Sequence, residues 1–272
     1  MNMTVCKFGG TSLADGNNIR RAAEIVLSDP SRKFAVVSAP GKRYSDDVKV
    51  TDLLYESFKE SRGKDRCGEA FARIRKRFLS IVAELGLNFD ITPILDRTEA
   101  DIAASGSTDF AASRGEYLNA RIVAALLGWE FVDAKDIIFF DKKGAFDEKR
   151  SYPLIEARLS AAKHAVIPGF YGTGGEIKTF SRGGSDISGS IVARAVNADL
   201  YENWTDVSGF LACDPRIVEN PVPIRALSYK ELRELSYMGA NVLHSEAIFP
   251  VREADIPIQI KNTFRPEDEG TE

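Results

Sequence analysis

Along the chain, short runs dense in β-branched and aromatic residues alternate with longer stretches whose apolar side chains recur at helical spacing. Runs of the first kind, residues 3–8, 33–38, 129–133, 137–140, 165–170, 200–204 and 256–261, predict strands. Stretches of the second kind, residues 17–27, 51–60, 68–85, 113–127, 153–162, 186–196 and 228–238, predict helices. Strand and helix taking turns in this way is the pattern of an α/β domain, a mostly parallel sheet with helices on both faces. The segment 137–144 breaks the alternation. Two short apolar stretches surround Asp141-Lys142-Lys143-Gly144 there, which predicts a local hairpin decorating the sheet. No repeat, low-complexity tract or Pro- or Ser-rich linker divides the chain, so it reads as one unit. Residues 265–272 are polar and acidic and read as the start of a linker.

Length alone, at 272 residues, permits one large domain or two small ones. A hydrophobic fraction of 44% with 28% charged residues supplies a sizeable core and argues against disorder. The formal charge of −4 provides no bulk attraction to nucleic acid or anionic lipid, so an anionic substrate has to be held by local groups. Cys6, Cys67 and Cys213 are far apart and form no C-x-x-C pair, which points away from a disulfide framework and a zinc site and towards a reducing cytoplasm. With only His164 and His244 present, histidine-rich metal centres and histidine-based triads are not expected. Neither a secretory leader nor an apolar run of about 18 residues is present, so no membrane association is expected.

Three segments concentrate chemistry. The first strand runs into Lys7-Phe8-Gly9-Gly10-Thr11-Ser12, which puts a lysine and two glycines at the carboxyl edge of the sheet, where α/β folds bind ligands. The glycines let backbone N–H groups approach an anion, and the lysine adds a positive charge; a plain strand-to-helix turn with a surface lysine is the structural alternative. The second segment, Lys178 to Asp186, places Arg182, Gly183 and Gly184 at the start of a helix, where an anion is favoured and arginine can grip a carboxylate with two parallel bonds. Ser185 and Asp186 there are explained equally by helix capping. In the third, Asn203-Trp204-Thr205-Asp206-Val207-Ser208-Gly209 with Cys213-Asp214-Pro215-Arg216 follows a later strand and can contact a nucleotide, or can be turn punctuation. Glu116, in Ser113-Arg114-Gly115-Glu116, reads either as a capping-box residue or as a partner for a substrate ammonium. Walker, Rossmann, G-x-S-x-G and H-R-D signatures are absent.

Taken in order, these segments together with Val36-Val37-Ser38-Ala39, Val50-Thr51-Asp52-Leu53-Leu54, Gly169-Phe170 and Asn262-Thr263 resemble the aspartate kinases of the amino-acid kinase family. The likeness covers almost the whole chain. It implies a three-layer αβα sandwich with a mainly parallel central sheet, of the carbamate kinase-like kind. It further implies one catalytic domain over residues 1–264, with acceptor groups in about 1–170 and nucleotide groups in about 171–264. Residues 265–272 would then lead to regulatory ACT domains.

The activity implied is transfer of the ATP γ-phosphoryl group to the β-carboxylate of L-aspartate, the first step towards lysine, threonine and methionine, with Mg²⁺ accompanying the nucleotide. By the resemblance, Lys7 and Asp186 are catalytic; Thr51, Glu116, Phe170, Arg182 and Ser185 bind the acceptor; and Lys7, Gly9, Gly10, Ser38, Thr205, Asp206 and Arg216 face the nucleotide. No protein side chain is expected to be a principal metal ligand, and a homodimer is the family's association. Leu211 and Asn241 depart from the tyrosine and lysine that many relatives carry near ATP. The alternatives are a glutamate, acetylglutamate or UMP kinase of the same fold, or a non-catalytic nucleotide or amino-acid sensor.

Overall fold

The computed structural model describes residues 2–64, 66–181, 183–213, 217–219, 221–237, 242–243 and 245–272. Six strands form its central sheet: β1 (Thr4–Phe8), β2 (Arg32–Val37), β3 (Glu130–Phe131), β4 (Ala165–Pro168), β7 (Leu200–Thr205) and β10 (Ile258–Asn262). Their spatial order is β10-β7-β1-β2-β4-β3, and every neighbouring pair is parallel. A parallel sheet buries both faces, which is why its strands read as nearly continuous apolar runs.

Side chains alternate across that sheet. Val5, Phe34, Val36, Ile167 and Tyr201 enter one core, whereas Cys6, Phe8, Ala35, Val37 and Trp204 enter the other. Helices α1 (Gly16–Leu27), α2 (Val50–Glu60), α3 (Gly68–Leu85), α4 (Thr92–Ser105) and α5 (Thr108–Leu127) cover the second face. The first is covered by α6 (Glu148–Ala161), α7 (Gly184–Ala195), α8 (Tyr229–Tyr237) and α9 (Phe249–Glu253). The three layers are those expected of the sequence.

Local detail departs from expectation in several places. Helix α4 was not foreseen, and α5 begins five residues before the expected 113, with Ser107 as its cap accepting a bond from the Phe110 N–H. Ser113 therefore stands inside the helix and donates to the Phe110 carbonyl, so Ser113 and Glu116 form no capping box. Two antiparallel pairs, β5 (Tyr171–Thr173) with β6 (Ile177–Thr179) and β8 (Phe210–Leu211) with β9 (Pro223–Ile224), lie outside the main sheet. The foreseen strand 137–140 makes only isolated bridges; its turn does close locally, through Phe140 opposite Phe146. The acidic segment 265–272 folds back on the domain: Thr271 and Ile260 exchange both backbone bonds, and Thr271 is buried.

One loop is held by a buried ion pair. Arg77 of α3 donates to Asp47 at 2.7 Å and to the Gly41 carbonyl at 2.6 Å. Arg43 adds bonds to the same carboxylate at 2.7 and 2.9 Å. Hydrogen bonds from Arg43, and then from Arg77, hold the Asp47 carboxyl well below the usual carboxylate range against the opposing effect of burial. The clamp presses Gly41 onto Gly10, whose carbonyl accepts the Gly41 N–H at 2.8 Å. Because one partner lost from a buried pair leaves a charge incompletely compensated, Arg77→Met is expected to lower unfolding free energy by roughly 3 kcal/mol. Urea denaturation at neutral pH measures this; a change below about 1 kcal/mol would show that the loop holds without the pair.

Candidate active site

Strand β1 lies between β2 and β7, and alternation sends Lys7 to the face covered by α7. A lysine there is buried and needs a counter-charge. Asp186, in the first turn of α7, supplies it: Lys7 Nζ lies 2.5 Å from Asp186 Oδ1. Asn203, directly opposite Lys7 on β7, completes the group. Its Nδ2 donates to Asp186 Oδ1 at 3.1 Å, and its Oδ1 accepts from Lys7 at 3.5 Å. The carboxylate is thus fastened from two strands and one helix, which fixes the direction of the ammonium.

Beyond Lys7 the chain turns through Gly9 and Gly10. A Cβ on Gly41 would lie 2.6 Å from the Gly10 backbone, so this crossing of two loops requires glycine. Opposite the turn, α7 starts at Gly183, whose φ of +56° is left-handed and which contributes no side-chain cap. Neither Ser185 nor Asp186 caps the helix. Its first N–H groups and the positive end of its dipole consequently face the cavity beside Lys7. Gly184 packs against Phe170 and Gly169 against Ser185, the would-be Cβ atoms falling 2.5 and 2.8 Å from their neighbours. Phe170 itself adopts φ +77°, a strained geometry for an aromatic residue, and is tied down by a bond from its N–H to Ser188 Oγ.

Helix α5 brings another wall of the cavity. Gly115 permits close approach to Ala39, since a Cβ there would meet the Ala39 Cβ at 2.7 Å. That contact delivers Glu116 beside the Ala39 N–H, which bonds its carboxylate. Burial pushes the Glu116 carboxyl up to about 8, opposed by the Ala39 and Glu116 N–H groups and by the charge of Arg114. Arg114 is itself buried among the rings of Phe110, Tyr117 and Tyr171. Among the described residues, Glu116 Oε2 has no hydrogen-bond partner. An acceptor so placed calls for a charged donor from a ligand.

A cavity of about 280 Å³ gathers Lys7, Gly9, Gly10, Ser38, Thr51, Glu116, Phe170, Ser185 and Asp186, all named from the sequence. Gly183 and Gly184 line it too, and Asn203 supports it from below; these three were not singled out as site residues. Asn203 carries no distinct signal in the sequence, since Glu202 and Thr205 of the same strand are polar too; its role comes from its register opposite Lys7. Thr205 and Asp206 stand at the same sheet edge, outside this cavity, with the Thr205 hydroxyl donating to Asp206. Arg182, Arg216 and Asn241 lie outside the described residues. Leu211 is partly exposed on β8. Among the described residues, no three acidic, histidine or cysteine side chains form a metal-ligand cluster, and no helix is long and apolar enough to cross a membrane. The arrangement can bind a phosphorylated group at the Lys7 edge and a small amine beside Glu116.

Comparison with known proteins agrees with this geometry. The profile of the amino acid kinase family matches residues 2–262. Aspartokinase 3 of Bacillus subtilis is 40% identical over 99% of this chain. The crystal structure of the aspartate kinase of Clostridium acetobutylicum superposes on the whole chain with a TM-score of 0.94 at 54% identity. That of E. coli aspartokinase III in complex with aspartate and ADP does so over 99% of the chain with a TM-score of 0.84 at 26% identity. The chain spans 63%, 62% and 64% of these three proteins, respectively.

The burial of Glu116 has a measurable sign. A carboxyl whose folded-state value is raised stabilises the fold only while protonated, so its contribution declines as pH rises from its ordinary range through about 8. Glu116→Gln is therefore expected to gain stability relative to the parent between pH 5 and 8.5, by roughly 4 kcal/mol at most. Urea unfolding of both proteins across that range tests it. A difference that stays constant with pH would mean that Glu116 is ionised at little expense.

Proposed function

This chain belongs to the amino acid kinase family, and we propose that it transfers the γ-phosphoryl group of ATP to the β-carboxylate of L-aspartate. The observation that carries this reading is the buried Glu116 carboxylate with its unpaired Oε2, sharing one cavity with the Lys7–Asp186 pair. Its relatives are named as aspartate kinases, and one of them was crystallised with aspartate and ADP.

In this reading the ammonium of aspartate bonds to Glu116, Thr51 and Ser185 complete the acceptor wall, and Arg182 grips the α-carboxylate. The β-carboxylate is ionised at neutral pH and requires no general base. One of its oxygens forms the new P–O bond as the bond from the γ-phosphorus to the β,γ-bridging oxygen breaks, and ADP leaves with the electron pair. Lys7 and the N–H groups of Gly10 and the α7 first turn stabilise the phosphoryl oxygens as fixed, preorganised donors, while the Gly9 N–H is spent on the Trp204 carbonyl at 3.0 Å. Asp186 and Asn203 orient the lysine and exchange no proton. Ser38 borders the phosphates, while Thr205, Asp206 and Arg216 take the rest of the nucleotide. Both parts of the chain thus contribute to each ligand: Arg182 and Ser185 join Thr51 and Glu116 at the acceptor, and Lys7, Gly9, Gly10 and Ser38 join Thr205, Asp206 and Arg216 at the nucleotide. Mg²⁺, held by phosphate oxygens, would offset phosphate charge when bound. Three unpaired cysteines support a cytoplasmic setting.

Steady-state assay of ADP release with aspartate, glutamate, acetylglutamate and UMP tests the assignment. Aspartate should be preferred, and equal turnover of any other acceptor would refute it. Lys7→Ala should lower kcat by roughly 10³-fold with little change in aspartate binding, whereas Arg182→Ala should chiefly weaken that binding. Because the ammonium needs Glu116 ionised, aspartate binding below about pH 8 should release a proton and tighten as pH rises from 6 to 8. Calorimetry in buffers of different ionisation enthalpy reads this directly; a buffer-independent enthalpy at pH 7 would remove Glu116 as the ammonium partner.

A further inference from the structure

The last eight residues do more than continue the chain. Thr271 joins three segments at once. Its backbone exchanges two bonds with Ile260 of β10, at 2.8 and 3.2 Å. Its hydroxyl accepts from the Phe210 N–H at 2.8 Å and donates to the Ile224 carbonyl at 2.5 Å, so β10, β8 and β9 all meet on one residue. Glu272 adds two backbone bonds, from its N–H to the Arg225 carbonyl and from the Leu227 N–H to its own. Two glycines in left-handed conformations make this approach possible. A Cβ on Gly209 would fall 2.3 Å from Thr271 Oγ1, and one on Gly270 would fall 2.0 Å from the Ile260 carbonyl.

A second fastening lies a few residues earlier. The Ser208 hydroxyl donates to the Asp268 carboxylate and accepts from Asn262 Nδ2 at 2.9 Å and from Arg265 Nη2 at 3.2 Å. Lys261 Nζ, in turn, donates to the Asp268 carbonyl at 2.6 Å. Segment 206–210, which follows directly on Thr205, is therefore gripped at Ser208 and again at Phe210, both times by residues 265–272. The hydroxyl of Thr271 and the carboxylate of Asp268 are two independent points of attachment, and neither borders the acceptor cavity.

We infer that residues 265–272 form a strap whose Asp268 and Thr271 are positioning residues for nucleotide binding, holding the Thr205–Ser208 turn at the sheet edge beside Lys7. This rests on the reading of that turn as part of the nucleotide site. The strap acts through the loop and touches no substrate itself. Its loosening should therefore be felt by nucleotide and not by the amino-acid acceptor.

The test uses the whole chain with Thr271→Val, which keeps the side-chain shape and removes both hydroxyl bonds, Thr271→Ser, which retains them, and Asp268→Asn. ADP and aspartate affinities are measured separately by calorimetry, alongside KM for ATP and for aspartate. Thr271→Val and Asp268→Asn are expected to weaken ADP binding and raise KM for ATP by roughly tenfold, with aspartate binding unchanged and Thr271→Ser within about twofold of the parent. Unchanged ADP affinity in both variants, equal losses for the two ligands, or failure of Thr271→Ser to restore binding would overturn the strap. If Thr271→Val fails to fold, Asp268→Asn, at a more exposed attachment, decides by the same readout. A parent that binds ADP but does not phosphorylate aspartate would refute the proposed reaction while leaving the strap to stand or fall on ADP affinity; a parent that binds no nucleotide would overturn both.

Discussion

A lysine in the interior of a parallel sheet is tolerable only with a carboxylate in contact, and much of this fold is arranged around that requirement. Lys7 is buried because β1 has a neighbour on each side and a helix over its face. Little of it meets water, so Asp186 must stand within reach, and α7 must begin where it does. Asn203 then has to sit on the adjoining strand in register with Lys7 to keep the carboxylate from swinging away. What looks like an assembly of catalytic groups is also the solution to a desolvation problem in the core.

Around that pair, the walls of the site are brought together by missing side chains. Gly10 against Gly41, Gly115 against Ala39, Gly169 against Ser185 and Gly184 against Phe170 are all places where a methyl group would collide with a neighbouring segment. The four contacts join three pairs of segments, the last two both pinning the 169–170 turn to the start of α7, and all lie at or beside the same cavity. The cavity is thus framed by close backbone approaches, with charged groups only at Lys7, Asp186 and Glu116 among its described lining residues. Rigid frames of this kind would suit the proposed phosphoryl transfer, whose rate would depend on alignment more than on proton transfer.

Much of this was legible before any coordinates. The alternation of apolar runs disclosed a parallel α/β sheet because strands buried on both faces carry few polar residues, and the Lys7–Gly10 turn stood out because charge and glycine met at a strand end. Where reading failed, the cause was tertiary. Helix α5 is buried through most of its middle, so its amphipathic signal is weak, and Ser113 with Glu116 imitates a capping box that Ser107 makes unnecessary. Helix α4 buries only Leu95, Thr98 and Ile102, too few positions to declare a stripe. Asn203 acquires meaning only from its register against Lys7. The tail gave no sign of its order because hydrogen bonds, not apolar contacts, hold residues such as Asp268, and composition does not record who the partners will be.

The register of β1 carries a consequence for how the protein is made. Lys7 emerges from the ribosome well before Asn203, with which its contact spans 196 positions of sequence. Strand β2 can join β1 early, but the counter-charge on Asp186 and the second neighbouring strand, β7, are synthesised long afterwards. Until then the N-terminal layers hold an uncompensated ammonium on an uncovered sheet face, which disfavours their independent collapse. Long-range parallel pairing of this sort is slow and commits the chain late. The nascent polypeptide therefore has little chance of closing a partial site, since the group that would first attract a phosphate is among the last to find its place.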